Sequence, residues 1–431
     1  MKKWIVMGLA AVLAPLCPAA GESTEHADPV ARLEATQAAA LVGSPGLRAH
    51  RAELRAAAAE SRFDAVSGSP YVEWQSEGLS GSGRQANGAD YLRVGTPFNL
   101  PGQIGPAKTL VRNAAEWELA AHRVASLSTV TDASRRWLAL AAAVELEALS
   151  SARVERLDSA LEMQRKRFEL GEIAGSEVRQ IDLERITEIA RLTERESRRN
   201  AAETALSELC GDQWLAARRG DLAALVAAST TPVAADLGGD ELAAGPLVDQ
   251  LERDAELARS EAALVAATAW GRAEIEAEWE RIPAFEGLPS YDAWGFRVSV
   301  PLPLGAAGHR QREQARARAD QAEAEAEAAK RRLQRAVEDA ATDAAGAQAK
   351  LASLEPALAE LSFVDRMLSE QFRLGAISYL AYIDGLSRFD RVVEEAINAR
   401  LALLQARLDL AVLFGDSNAF PLTYANSGEE N

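Results

Sequence analysis

Apolar and polar residues alternate with period two in only a few short stretches of this chain; elsewhere apolar positions recur with helical spacing over very long runs. From Tyr91 to Leu100, Leu92, Val94 and Phe98 share one face, while Arg93 and Gly95 lie on the other. From Trp294 to Leu304, Phe296, Val298, Val300 and Leu302 oppose Arg297 and Ser299. A shorter candidate strand precedes each, Tyr71 to Gln75 across a polar loop from Gly78 to Gly88, and Glu274 to Glu280 across Pro283, Gly287 and Pro289. In that last strand Ile275, Ala277 and Trp279 alternate with Glu276, Glu278 and Glu280, a pattern that also fits an extension of the preceding helix. Strands with one apolar and one polar face suit a lipid-facing barrel with a wet lumen, or a half-buried soluble sheet. Tyr71, Trp74, Tyr91, Tyr291 and Trp294 lie near strand ends, where interfacial aromatics would sit.

The rest reads as helix. Ala-, Glu- and Arg-rich helices are expected over Leu47–Asp64 and Leu247–Arg272, before the strand pairs. After them, Pro106–Leu170 and His309–Leu374 carry no strand signal and almost no turn signal. About 65 residues at ~1.5 Å each would span on the order of 100 Å, far beyond a globular helix. The run from Ala315 to Ala326 alternates small and charged residues without a thick apolar stripe. Such a helix allows close approach and still needs water on one side, as in the wall of a tube. Pro356 predicts a kink in the second long helix, whereas Ala152 holds the matching place in the first. Each long helix stops at a glycine, Gly171 or Gly375, and a return helix runs to Gly211 or Gly415.

These elements come twice, at a spacing of 204 residues. Phe168-Glu169-Leu170-Gly171-Glu172-Ile173 reappears as Phe372-Arg373-Leu374-Gly375-Ala376-Ile377. Arg93, Val94 and Pro97 match Arg297, Val298 and Pro301, and Leu206, Leu209 and Gly211 match Leu410, Leu413 and Gly415. Two copies in register mean two copies of one supersecondary unit. The expected organisation is a signal peptide over 1–20, a first repeat over 21–211, a linker over 212–243, a second repeat over 244–415 and a tail over 416–431. Lys2, Lys3, the apolar run Trp4–Leu16 and the small residues around Ala20 carry the signal reading. Leu16 before Cys17 disfavours lipid attachment, and Cys210, whose repeat-mate is Phe414, is expected as a core thiol.

Composition narrows the class. Aromatics are 6% of the 431 residues, with Ala, Glu, Arg and Leu dominant, a mixture of long helices rather than thick cores. A net charge of −17 disfavours nucleic acid as a partner. His26, His50, His122 and His309 are scattered without ligand spacing, Gly81-Ser82-Gly83 lies between strands rather than between strand and helix, and no nucleophile stands beside a base. The sequence therefore predicts neither an enzyme nor a cofactor protein. Glu276, Glu278 and Glu280 read as a solvated face rather than as a cation site.

The tip motifs Arg167-Phe168-Glu169-Leu170-Gly171 and Gln371-Phe372-Arg373-Leu374-Gly375, with the passage Val298-Ser299-Val300-Pro301-Leu302-Pro303-Leu304-Gly305, resemble those of the TolC-like outer-membrane factor family. The resemblance covers nearly all of the chain after the signal. It implies a mainly α protein with a small β part: long helical hairpins forming a trimeric α-barrel, and four strands per chain contributing to a 12-stranded transmembrane β-barrel. Physics reaches the same assembly, because four strands cannot close a barrel and an open edge in lipid leaves backbone groups unpaired. The family also implies an outer-membrane exit duct that extends into the periplasm and works with a periplasmic adaptor and an inner-membrane resistance-nodulation-division pump. On that resemblance Leu170, Gly171, Glu172, Ile173, Leu374, Gly375, Ala376 and Ile377 are adaptor-docking tips, and Glu177, Phe372 and Asp384 belong to the periplasmic aperture. Phe372 stands where the family carries a tyrosine and so lacks its hydroxyl. Ala381 removes one of two pore carboxylates and leaves Asp384. The sequence is somewhat closer to heavy-metal cation efflux subunits than to drug or protein export ducts. A periplasmic coiled-coil adaptor or structural rod is the reading from another class, disfavoured by two hairpins with strand pairs opposite the tips.

Overall fold

The structure is a computed structural model that describes residues 28–60, 69–77, 89–211, 213–229, 245–269, 271–282, 284, 289–300 and 306–414. The signal reading, Cys17, the loop Gly78–Gly88, the passage Pro301–Gly305, Gly415 and the tail lie outside them. In order, the elements are α1 (Pro29–Gly43), α2 (Pro45–Glu60), β1 (Tyr71–Glu77), β2 (Ala89–Phe98), α3 (Pro101–Glu169), α4 (Gly175–Cys210), α5 (Asp221–Ala228), α6 (Pro246–Thr268), β3 (Ala273–Ile282), β4 (Tyr291–Ser299), α7 (Ala306–Arg373) and α8 (Tyr379–Phe414). The chain is mainly helical with one small antiparallel sheet. The repeat is visible in the elements themselves: α4 and α8 are both 36 residues long and begin 204 residues apart.

Two compact units divide the chain. One takes Val124–Pro246 and the segments up to Arg48 and from Leu333; the other takes Ala49–Arg123 and Leu247–Arg332.

The first unit contains the hairpins. Its largest apolar cluster gathers Leu33 and Ala40 of α1, Trp137 and Leu138 of α3, Leu206 and Cys210 of α4, Leu222 and Leu225 of α5, and Leu404 and Leu408 of α8. Trp137 is fully buried, and its Nε1–H donates to the Leu215 carbonyl at 2.9 Å, so the ring is buried without stranding its polar atom. Arg32 and Asp221, both buried, pair across α1 and α5. These two short helices have no counterpart in the sequence reading, because their stabilisation comes from this distant packing rather than from periodicity. Along α7 and α8, Ala340, Ala344 and Leu351 face Ala399, Leu403, Ala406 and Leu410, an alanine-rich seam of the kind the composition predicted. Pro356 lies inside α7, which continues past it. A proline there cannot donate to the carbonyl of residue 352, yet the helix on both sides carries the turn.

The second unit contains the sheet, in strand order β1-β2-β3-β4, every pair antiparallel. Glu274–Glu280 thus belongs to a strand and not to the end of the preceding helix. The β2–α3 passage is fixed by Gln103, which is buried. Its Oε1 accepts from the Leu100 amide at 2.9 Å, while Nε2 donates to the carbonyls of Ala267 and Gly271 at 3.1 and 2.8 Å. One side chain therefore satisfies the start of α3 and the end of α6 together. Among the described residues no helix is long and apolar enough to cross a membrane.

Candidate functional site

The sequence-predicted features fall at two places in the chain: the faces of the sheet and the tips of the hairpins.

Register places all the alternating apolar residues on one face of the sheet. Trp74, Leu92, Trp279 and Trp294 form one row across the four strands; Val72, Val94, Ala277 and Phe296 form the next; Thr96, Ile275 and Val298 a third. Trp74, Trp294, Phe296 and Val298 are well exposed. Beyond the tryptophan row the face turns polar, with Ser76, Asp90, Arg281 and Asp292 in register and Arg281 3.6 Å from Asp292. A depth-ordered face of this kind, apolar rows bounded by tryptophans and then by charge, is what a lipid boundary selects.

The opposite face is charged. Arg93 pairs with Glu73 at 3.1 Å and Glu278 at 3.5 Å, and Arg297 pairs with Glu276 at 3.1 Å. The Tyr71 hydroxyl lies 2.6 Å from a Glu276 oxygen and 2.8 Å from Glu274. The ring of Tyr71 covers Gly95, where a Cβ would come within 2.5 Å of it. Tyr71, Tyr91 and Tyr291 therefore do not join the interfacial aromatics expected at the strand ends: strand parity turns them to the charged face, and Trp279 completes the row instead.

At the hairpin tips both long helices end alike. The Gly171 amide donates to the Phe168 carbonyl at 2.9 Å and Glu172 to Arg167 at 2.9 Å; Gly375 donates to Phe372 at 3.0 Å and Ala376 to Gln371 at 2.8 Å. With φ of +79° and +71°, both glycines close a Schellman turn, a conformation strained for any residue with a Cβ. Leu170 and Leu374, one residue earlier, project into solvent. Arg167 binds Glu172 at 3.1 Å, and its guanidinium lies 3.6 Å from where a Gly375 Cβ would stand. The two tips are thus neighbours.

The residues assigned to the aperture lie in different surroundings. Phe372 is buried, stacked on Tyr382 with centroids 4.4 Å apart and packed with Ala160, Leu161 and Ile181 of the first hairpin. Its missing hydroxyl costs nothing there, since the position is apolar. Asp384 is exposed and paired with Arg388 at 2.8 Å, so its charge is locally compensated. Glu177 lies in the first turn of α4, where a carboxylate meets the helix N-terminus favourably.

Sequence reasoning missed a third cluster. Buried Arg153 of α3 pairs with Glu184 at 3.0 Å and Glu188 at 3.3 Å in α4, and with Asp390 of α8 at 3.0 Å. Arg156 adds Asp390 at 2.7 Å and Asp365 at 3.8 Å. Burial pushes the Asp390 carboxyl upward against the pull of both arginines. This network joins the two hairpins, and removing one partner of such a buried set leaves a charge that costs ~3–5 kcal/mol. Its only sequence signal is that Arg153 and Asp390 both break the repeat, standing opposite Ala357 and Ile186. Among the described residues, no group of three or more His, Cys, Asp or Glu is arranged to hold a metal ion.

Residues 248–416 match the model of a family described as outer membrane efflux protein. No curated protein matches the chain. Several solved structures share its fold. CusC, solved in a study of folding and transmembrane channel formation, is 15% identical with a TM-score of 0.72, over 89% of this chain and 92% of that one. The CmeC outer membrane channel of Campylobacter jejuni is 12% identical with a TM-score of 0.70, over 90% and 86%. The MtrE outer membrane channel of Neisseria gonorrhoeae in its open state is 14% identical with a TM-score of 0.67, over 89% of both.

Proposed function

Because residues 248–416 belong to the outer membrane efflux protein family, we propose that the chain is the outer-membrane exit duct of a tripartite efflux system. The observation that carries this reading is the sheet: apolar rows on one face, ion pairs on the other, and β1 and β4 as its outermost strands among the described residues. Unpaired edges are costly in lipid, and three copies of four strands close a twelve-stranded barrel with the charged face inward. The hairpins of the same three copies build the periplasmic α-barrel. The duct is passive; a resistance-nodulation-division pump in the inner membrane selects the cargo, and a periplasmic adaptor joins pump to duct.

The adaptor docks on Leu170, Gly171, Glu172 and Ile173 and on Leu374, Gly375, Ala376 and Ile377, with Glu177, Phe372 and Asp384 at the aperture. Exposed leucines beside strained glycines support this reading, since they offer apolar anchors on a rigid turn. The proposed cargo is heavy-metal cations, supported by the net charge of −17. Drug or protein export by the same architecture is the alternative.

The test is Gly171→Trp and Gly375→Trp in cells that depend on this chain for metal resistance. Each variant should reach the outer membrane as an oligomer and lose resistance. Full resistance at normal protein level would remove the tips from docking.

A further inference from the structure

The two ends of the sheet differ in charge. At the loop end of the strands Glu77, Asp90 and Asp292 stand with Arg281. At the other end, where Phe98 pairs with Ala273 and the strands give way to helices, cations dominate. From Pro101 to Arg112 in α3 the charged residues are Lys108 and Arg112, and no carboxylate comes before Glu116. Arg272 lies between α6 and β3. From Ala306 to Arg316, α7 sets Arg310, Arg312 and Arg316 against Glu313. Six cations thus stand against one carboxylate in these segments, within a chain whose net charge is −17.

The three segments meet. Gln103 binds the carbonyls of Ala267 and Gly271, which fixes the start of α3 beside the end of α6. Gly308 approaches α6 so closely that a Cβ would stand 3.0 Å from the Ala269 carbonyl oxygen, which brings the first turn of α7 to the same place. Lys108, Arg272 and Arg310 are exposed and form no ion pair among the described residues. Arg112 and Arg316 meet only carboxylates of their own helices, Glu116 at 3.7 Å and Glu313 at 3.1 Å. Further along, cations are paired across helices instead: Arg253 with Glu116 at 2.7 Å, Lys330 with Glu252 at 2.6 Å, and Arg259 with Glu323.

Depth sets what can reach these cations. The last apolar row of the sheet is Thr96, Ile275 and Val298. Arg310 is four residues into α7 and Lys108 seven into α3, about 6 and 10 Å at ~1.5 Å per residue. A headgroup layer is ~5–7 Å deep on each side of the hydrocarbon, and long cationic side chains extend along it. We infer that Lys108, Arg272 and Arg310, with the cations beside them, form a basic collar that binds the headgroups of anionic phospholipids in the leaflet on the helical side. The inference rests on the reading of the sheet as a lipid-facing barrel. A lipid surface fits better than a protein partner because the cations form a belt at one depth, spread over three elements, rather than a cleft. Carboxylates in the belt would repel phosphate, which accounts for their scarcity there.

The test uses the full chain as an oligomer in non-ionic detergent, with fluorescent phosphatidylglycerol and phosphatidylcholine of equal chain length. Wild type should bind phosphatidylglycerol about fivefold more tightly, and salt at roughly 0.5 M should erase the difference. Lys108→Gln with Arg272→Gln and Arg310→Gln should lose the preference while remaining an oligomer by light scattering. Arg331→Gln with Arg332→Gln and Arg335→Gln, further along α7, should keep it. Equal binding of both lipids by wild type would overturn the collar and give these cations to carboxylates of a neighbouring copy. A preference that survives the collar changes would overturn the assignment to these residues. Inorganic phosphate in place of chloride, at constant ionic strength, should leave the preference intact; its loss would make this a site for free phosphate. If the collar variant does not assemble, the salt series on wild type decides. A chain that stays soluble without detergent would overturn the duct reading itself, whereas a detergent-extracted oligomer without preference overturns only the collar.

Discussion

Cys210 is the buried core thiol that its place in the repeat leads one to expect. It packs among α1, α3 and α8 residues, and its thiol lies 3.6 Å from the Thr36 carbonyl. Burial pushes the thiol up to about 11. The thiolate is the nucleophile, so at pH 8 only on the order of one thiol in a thousand is reactive, before access is considered. Native protein should resist N-ethylmaleimide at pH 8, and labelling should climb with pH towards the raised value. Denatured protein should label at once. Rapid labelling of folded protein at pH 8 would mean that the cluster around α1 opens readily. The core role of this residue was legible from its repeat-mate Phe414, an apolar position in a helical run. Its partners were not, because Thr36 lies in α1, a helix that no pattern announced.

At the scale of elements, Gly385 of α8 marks a close approach of the helices within the second hairpin. A Cβ there would come within 2.8 Å of Leu368 Cδ1 on α7. Gly385→Ala should therefore cost the second hairpin at most about 1 kcal/mol net, since overpacking on the Leu368 methyls is offset by the gain of alanine over glycine inside a helix. Leu368→Ala in the same chain should recover part of the loss, a coupling that thermal melts of the four variants would measure. Additive costs would mean that the leucine simply rotates away. The hairpins themselves were readable: predicted Pro106–Leu170 and His309–Leu374 became α3 and α7, within a few residues at each end. The glycine stops were readable too, because a Schellman turn needs a positive φ that only glycine adopts cheaply. The Arg153 cluster was not, since it joins residues 237 apart and follows no period. Strand existence was legible for β2 and β4 from their alternation. For β3 the same alternation, set beside a Glu-rich helix, left two readings that only pairing with β2 separates.

For the whole molecule, the question is which face of the sheet meets lipid, and two adjacent residues decide it. Phe296 sits in the middle apolar row, between the rows of Trp294 and Val298, and is among the most exposed apolar residues of the chain. Arg297, next to it, points to the opposite face and binds Glu276. If the apolar face meets hydrocarbon, Phe296→Arg puts a guanidinium near the depth of greatest penalty, ~2–4 kcal/mol per copy. If three copies close one barrel, that cost is multiplied, because every chain carries the substitution into it. Arg297→Ala removes a charge from the wet face instead. There Glu276 keeps the Tyr71 hydroxyl at 2.6 Å and water can replace the lost partner, so the change should be small. The expectation is that Phe296→Arg fails to appear as a heat-modifiable oligomer in the outer-membrane fraction, while Arg297→Ala appears at near wild-type level. The opposite ranking would turn the sheet over, with the charged face packed on protein and the tryptophan row in water. Equal tolerance of both would make the sheet a soluble platform, and the outer edges of β1 and β4 would then need another cover than two further copies of the chain.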